Sequence, residues 1–155
     1  MRRLAIDSNL LMLFIVGSVA PEFISKHRRL RAYDRDDFVV LQRALNDADT
    51  IITTPNVATE VSNLVGYGVS EPLLTRLNSF LRFWIPNLLE HYEKSGVAVK
   101  QPEFLRLGIA DCAWFGALDA ETILLTDDLS LYLATVSRGF AAKNFSNLRR
   151  ESNSA

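Results

Sequence analysis

The sequence predicts an α/β protein in which a parallel sheet is covered by helices on both faces. Short apolar or β-branched runs (RLAID at 3–7, TIITT at 50–54, TILLT at 122–126) alternate with segments of helical periodicity, and such alternation belongs to parallel sheets. The first and last of these runs have apolar centres, as strands buried on both faces do. The chain has 155 residues, 48% of them hydrophobic and 23% charged, which fits one globular domain with a real core, here 1–150.

Taken in order, Arg3–Asp7 reads as a buried strand ending on a carboxylate, and Asn9–Val16 as a helix apolar on most sides. Gly17–Arg35 is a charged connector. Asp36–Asn46 is amphipathic, with Phe38, Leu41 and Leu45 at helical spacing and an acidic start that complements the helix dipole. Thr50–Thr54 is the second strand. Thr54-Pro55 then supplies an N-cap followed by proline in the first turn, and that helix runs through Glu60 toward Leu64, stopped by Gly66 or Gly68. Ser70–Trp84 restarts as a helix with Leu73, Leu77, Phe80, Leu81 and Trp84 on one stripe, and Pro86 breaks it. Val97–Val99 is a short strand and Gly108–Leu118 a helix with Asp111 in its first turn. Thr122–Thr126 is a strand, Leu129–Arg138 a helix ended by Gly139, and Ala141–Phe145 the last strand. The polar tail Glu151–Ala155 is expected to be disordered.

The single cysteine, Cys112, excludes a disulfide framework and a cysteine-rich zinc site, and suits a reducing compartment. With a net charge of -1 the chain does not attract polyanions as a whole. Its basic run, Lys26, His27, Arg28, Arg29 and Arg31, reads as a solvated face, with Arg149 and Arg150 a smaller basic end. His27 and His91 are both expected at the surface, and Trp84, Trp114 and Phe115 in the core or at a dimer contact. Arg2 and Arg3 before an apolar run imitate a secretory signal, but Asp7, Ser8 and Asn9 interrupt it. The run also falls far short of the roughly 20 apolar residues that span a membrane. A cytoplasmic protein is the expectation.

The chemistry lies in the acids. Ligands in parallel α/β folds sit at the carboxyl ends of strands, and Asp7, Asp127 and Asp128 fall at or just past such ends. Glu60 and Asp111 lie in early turns of helices. Carboxylates gathered without intervening lysines repel one another, and hard divalent cations relieve that repulsion. Mg²⁺ takes oxygen ligands and keeps several waters. Two ions about 3.5–4 Å apart can activate water and stabilise both oxygens of an in-line phosphodiester displacement.

At these positions the chain resembles the PIN-domain family. That family opens with an apolar strand ending Asp-x-(Ser/Thr/Asn), matched here by LAIDSN with Asp7 and Asn9. A glutamate follows on the helix after the second strand, matched by Glu60 in TPNVATEVSNL. An aspartate in a Leu-Gly-x-x-Asp-Ala start follows, matched by Asp111 in LGIADCA, with Cys112 where alanine is common. A strand-Thr-x-Asp closes the set, matched by Thr126 and Asp128 in ILLTDDLSL. The resemblance spans essentially the whole chain.

It implies a three-layer α/β/α sandwich around a parallel sheet and a Mg²⁺- or Mn²⁺-dependent endoribonuclease. It also implies a VapC-like toxin of a toxin–antitoxin pair, a homodimer held by an antitoxin protein. Carried over residue by residue, Asp7, Glu60, Asp111 and Asp128 bind metal, Asn9 and Thr126 orient ligands, and Asp127 faces away or caps the next helix. The homodimer is further expected from the apolar helix Asn9–Val16 and the stripe through Leu77, Leu81 and Trp84, which exceed what one small domain needs. Taken singly, each acid could be an ordinary turn or cap residue; the ordered set of four argues otherwise. A haloacid-dehalogenase-like phosphatase would want a second aspartate where Asn9 stands, and a receiver domain an acidic pair where Asp7 stands alone. A PIN-like module that binds RNA or protein without turnover is the stronger competitor.

Overall fold

A computed structural model describes residues 2–154. Five strands, β1 (Arg3–Ile6), β2 (Thr50–Thr53), β3 (Leu89–Glu90), β4 (Thr122–Thr126) and β5 (Ala141–Asn144), form one all-parallel sheet in the order β3-β2-β1-β4-β5. The first strand is therefore central, with Ala5 opposite Ile52 on one side and Leu124 on the other. Chain order moves one way along the sheet from β1 to β3 and the other way from β3 to β5. Right-handed crossovers place the intervening helices on opposite faces accordingly. One face carries α1 (Ser8–Val19), α2 (Arg35–Asn46), α3 (Pro55–Leu64) and α4 (Leu73–Trp84); the other carries α5 (Ser95–Ala98), α6 (Phe104–Leu107), α7 (Ile109–Ala117) and α8 (Leu129–Ser137). A last helix, α9 (Phe145–Asn153), returns to pack against α2. The result is a three-layer α/β/α sandwich.

Helix α1 is the centre of the larger core. Leu10, Leu11, Met12, Leu13, Ile15 and Val16 are all buried, because α2, α3 and α4 enclose it. Gly17 does not end this helix as the connector reading implied. It lies within α1, where a Cβ would overlap the Phe38 ring of α2. A second, smaller cluster under α5–α8 joins Ala98, Cys112, Ala113, Phe115 and Ala134.

Several expectations are corrected. Leu77 and Leu81 are not surplus surface: both are buried, and Trp84 packs its ring 4.6 Å from that of Phe14. The apolar surface invoked for a homodimer is thus covered within the chain. Val97–Val99 is not a strand. Ala98 buries itself in the smaller cluster while its valine neighbours face outward, and the backbone closes locally, Ala98 N–H on Lys94 O at 3.0 Å. The tail from Glu151 is helical through Asn153, and Ala155 lies outside the described residues. Phe145 starts α9 instead of ending β5. His27 is buried, with Nε2 2.8 Å from Val65 O and Nδ1 accepting from the Arg29 N–H. That pattern requires the neutral ring with its proton on Nε2, and burial holds its pKa below the ordinary value. No helix among the described residues is long and apolar enough to cross a membrane.

Candidate functional site

The sheet order decides which acids can meet. β1 and β4 are neighbours and parallel, so Asp7 and the Thr126–Asp128 turn emerge side by side. β2 flanks β1 on the other side, and the helix that leaves it, α3, carries Glu60. Helix α7 runs back toward the start of β4, which puts its first turn, with Asp111, at the same end of the sheet.

Asp7 is the most constrained. It caps α1, Oδ1 accepting from the Leu10 N–H at 3.0 Å, while Oδ2 accepts from the Thr126 hydroxyl and, at 3.2 Å, from the Asp127 N–H. Burial raises its pKa to about 6 in spite of these bonds, with the Asp127 charge adding to the rise. Glu60 accepts the Ser8 hydroxyl at 2.6 Å. Asp128 caps α8 through the Leu131 N–H at 3.0 Å, and its own N–H donates to Thr126 Oγ1 at 3.0 Å. Thr126 therefore ties two of the acids together. Asp111 accepts no hydrogen bond among the described residues. Its pKa rises to about 7, first through burial and then through the charges of Asp128, Asp7 and Glu60. All three of its partners in the predicted set thus lie within electrostatic range of Asp111.

The remaining predicted residues divide. Thr126 is fully buried between the acids. Asn9 lies half-buried in the first turn of α1, with no side-chain hydrogen bond among the described residues. The Asp127 carboxylate caps no helix: Tyr33 Oη donates to one of its oxygens at 3.0 Å and Ser146 Oγ to the other at 2.5 Å, while its charge still acts on Asp7. The cap on α8 is Asp128 itself. Cys112 is buried, and burial raises its thiol pKa, which suits a packing residue better than a nucleophile.

Sequence reasoning missed Ser8, Tyr33 and Ser146. Ser8 stands inside the IDSN motif and had a local signal, its place between two predicted site residues. Tyr33 and Ser146 reach the site only through tertiary structure.

A groove of about 770 Å³ is lined in part by Asn56, Glu60, Asn63, Tyr92, Glu93 and Gly108; of the four acids, Glu60 alone lines it. Gly108 adopts φ +82° just before α7, a left-handed turn that glycine takes without a steric penalty. A tighter cavity of about 330 Å³, lined in part by Arg2, Arg43 and Lys143, includes none of the four acids.

The donor set is all oxygen and anionic, which fits Mg²⁺ or Mn²⁺ and excludes a soft-metal centre. Among the described residues no group of three or more Asp, Glu, His or Cys side chains is already set to hold a metal ion. Ser8, Thr126 and backbone N–H groups occupy several of the carboxylate oxygens instead.

No family model matches this sequence, and no curated protein matches it. Among solved structures the chain is similar to a domain of a functionally unknown protein from Methanocaldococcus jannaschii DSM 2661. The two are 18% identical over 93% of this chain and 91% of that one, with a TM-score of 0.47.

Proposed function

We propose that the chain is a Mg²⁺- or Mn²⁺-dependent endoribonuclease whose centre is Asp7, Glu60, Asp111 and Asp128. One observation carries this reading. Asp7, Glu60 and Asp128, each from a separate element, all act on Asp111, whose pKa rises to about 7 through burial first and their charges second. Such crowding opposes folding and persists in proteins where the charges have a use. The order of the motifs, which resembles that of PIN domains, supports the same reading.

Asp7, Glu60, Asp111 and Asp128 would hold the cations. Bound there, Mg²⁺ or Mn²⁺ supplies charge to the phosphodiester and acidity to the attacking water. The chain's own contribution is positional. Thr126 and the Asp127 N–H fix Asp7, Ser8 fixes Glu60, and the α8 cap fixes Asp128. The groove beside Glu60 gives a strand of RNA access, and its carboxylates disfavour phosphate unless a cation intervenes, so binding and turnover share one requirement.

The test is cleavage of a single-stranded oligoribonucleotide by the full chain in Mn²⁺, in Mg²⁺ and in EDTA, beside Asp7→Asn. Cleavage that needs the metal and disappears in Asp7→Asn supports the reading. A second reading, an RNA-binding module without turnover, draws on the lack of a preformed three-ligand group among the described residues. It predicts RNA binding with no cleavage in either metal.

A further inference from the structure

We propose that Tyr33 and Ser146 are positioning residues for the carboxylate centre, acting through Asp127. The inference rests on the metal-centre reading above and adds two residues outside the four acidic motifs. Asp127 stands between Thr126, which serves Asp7, and Asp128, which belongs to the cluster. Its backbone N–H donates to Asp7 Oδ2. Its side chain, left free, would be a fifth carboxylate at the edge of an already crowded site. The two hydroxyls take one oxygen each, at 3.0 Å from Tyr33 and 2.5 Å from Ser146, and so fix where that carboxylate lies. Holding the side chain also holds the peptide whose N–H Asp7 uses.

Both donors are themselves fixed. Tyr33 is 7% exposed, its ring 6.3 Å from that of Phe145 and 5.5 Å beneath the Arg149 guanidinium. Arg149 is anchored to Asp37 Oδ1 at 2.6 Å and to Ala32 O at 3.1 Å. Ser146 is placed by its own N–H on Asn144 Oδ1, the cap of α9, at 2.9 Å. Hydroxyls are neutral, so they satisfy the Asp127 carboxylate without cancelling its charge, which an arginine in their place would do. The Tyr33 phenol stays protonated, because burial and the nearby Asp127 and Asp7 charges raise its pKa. Three segments far apart in sequence thus converge behind the Thr126–Asp128 turn. A purely adhesive role would only attach α9 to the sheet; a positioning role would also set the affinity of the centre for its cation.

Calorimetric titration of Mn²⁺ into the full chain separates the two, run on wild type, Tyr33→Phe, Ser146→Ala and Ser146→Thr, with the melting temperature of each in EDTA. The expected result is an affinity about 10–100-fold weaker in Tyr33→Phe and Ser146→Ala, the range found when residues behind a metal ligand are removed. Ser146→Thr, which keeps the hydroxyl, should restore wild-type affinity. Lower melting temperatures with unchanged Mn²⁺ affinity would overturn the proposal while leaving the centre itself intact. Wild type that binds Mn²⁺ without cutting RNA would overturn the nuclease reading alone, and the variants would still support or overturn the positioning role. Wild type that binds no Mn²⁺ would overturn both.

Discussion

Ser8 and Glu60, 52 residues apart, meet across 2.6 Å, the serine hydroxyl donating to Oε2. This bond links the first turn of α1 to the middle of α3 and sets where the glutamate points. Ser8→Ala should keep the fold, since Asp7 supplies the cap on α1. It should weaken metal-stimulated cleavage about 10–100-fold at low Mn²⁺, with partial recovery at high Mn²⁺. Rates measured across a Mn²⁺ series check it; a loss that no metal concentration relieves would point to a role for Ser8 outside metal binding.

Asp128 has two duties, and they can be separated. Its carboxylate caps α8 and also contributes charge to the cluster. Asp128→Asn keeps a capping oxygen and removes the charge, so cleavage should be lost with stability nearly unchanged. Asp128→Ala should lose cleavage equally and about 1 kcal/mol of stability besides. Urea denaturation of the pair, beside an RNA cleavage assay, measures both effects.

Stability without metal should depend on pH through Asp111. An ordinary aspartate ionises near 3.8, whereas folded Asp111 holds its proton to about 7. Between those values the folded state binds more protons than the unfolded state, so stability falls as pH rises. The contribution is fully present below about pH 4 and is lost on passing 7. Asp7, raised to about 6, acts with the same sign over a narrower window. Asp111→Asn removes the Asp111 part. In EDTA the variant should therefore gain on wild type steadily from pH 4 to pH 8 in thermal melts. A gap that stays constant over that range would contradict the crowding account.

Gly17→Ala should destabilise although alanine favours helix. The new Cβ would overlap the Phe38 ring, and overpacking of a close-packed core costs about 1–3 kcal/mol, against roughly 1 kcal/mol gained in propensity. Chemical denaturation of Gly17→Ala alone and with Phe38→Leu tests the cause, because the smaller side chain should return part of the loss.

What could be read from the sequence was local. Thr54 caps α3 through the Val57 N–H as the Thr-Pro pair promised, and Asp7 stands where a strand pattern stops. The order of four acids pointed to a shared end of the sheet because parallel strands put all their carboxyl ends together. Other features lacked a local signal. β3 is two residues long and has no pattern to detect. The polar end of α9 from Glu151 reads as a loose tail because what fixes the helix, Arg149 on Asp37 and Phe145 in the core, depends on residues far away in sequence. Val97–Val99 misled because β-branching was weighed without a neighbouring strand to pair with. The basic neighbours of His27 point to the surface, yet its partner is a carbonyl 38 residues on.

The central place of β1 also has a consequence for biosynthesis. Its inner partner, β4, pairs Arg3 with Thr122, and the Thr126 hydroxyl that Asp7 accepts lies 119 residues downstream. A nascent chain exposes Asp7 early, with only its local bond from the Leu10 N–H to hold it until β4 has left the ribosome. Contacts of such long sequence separation are slow to form, so the bond that joins Asp7 to Thr126 has to wait for β4.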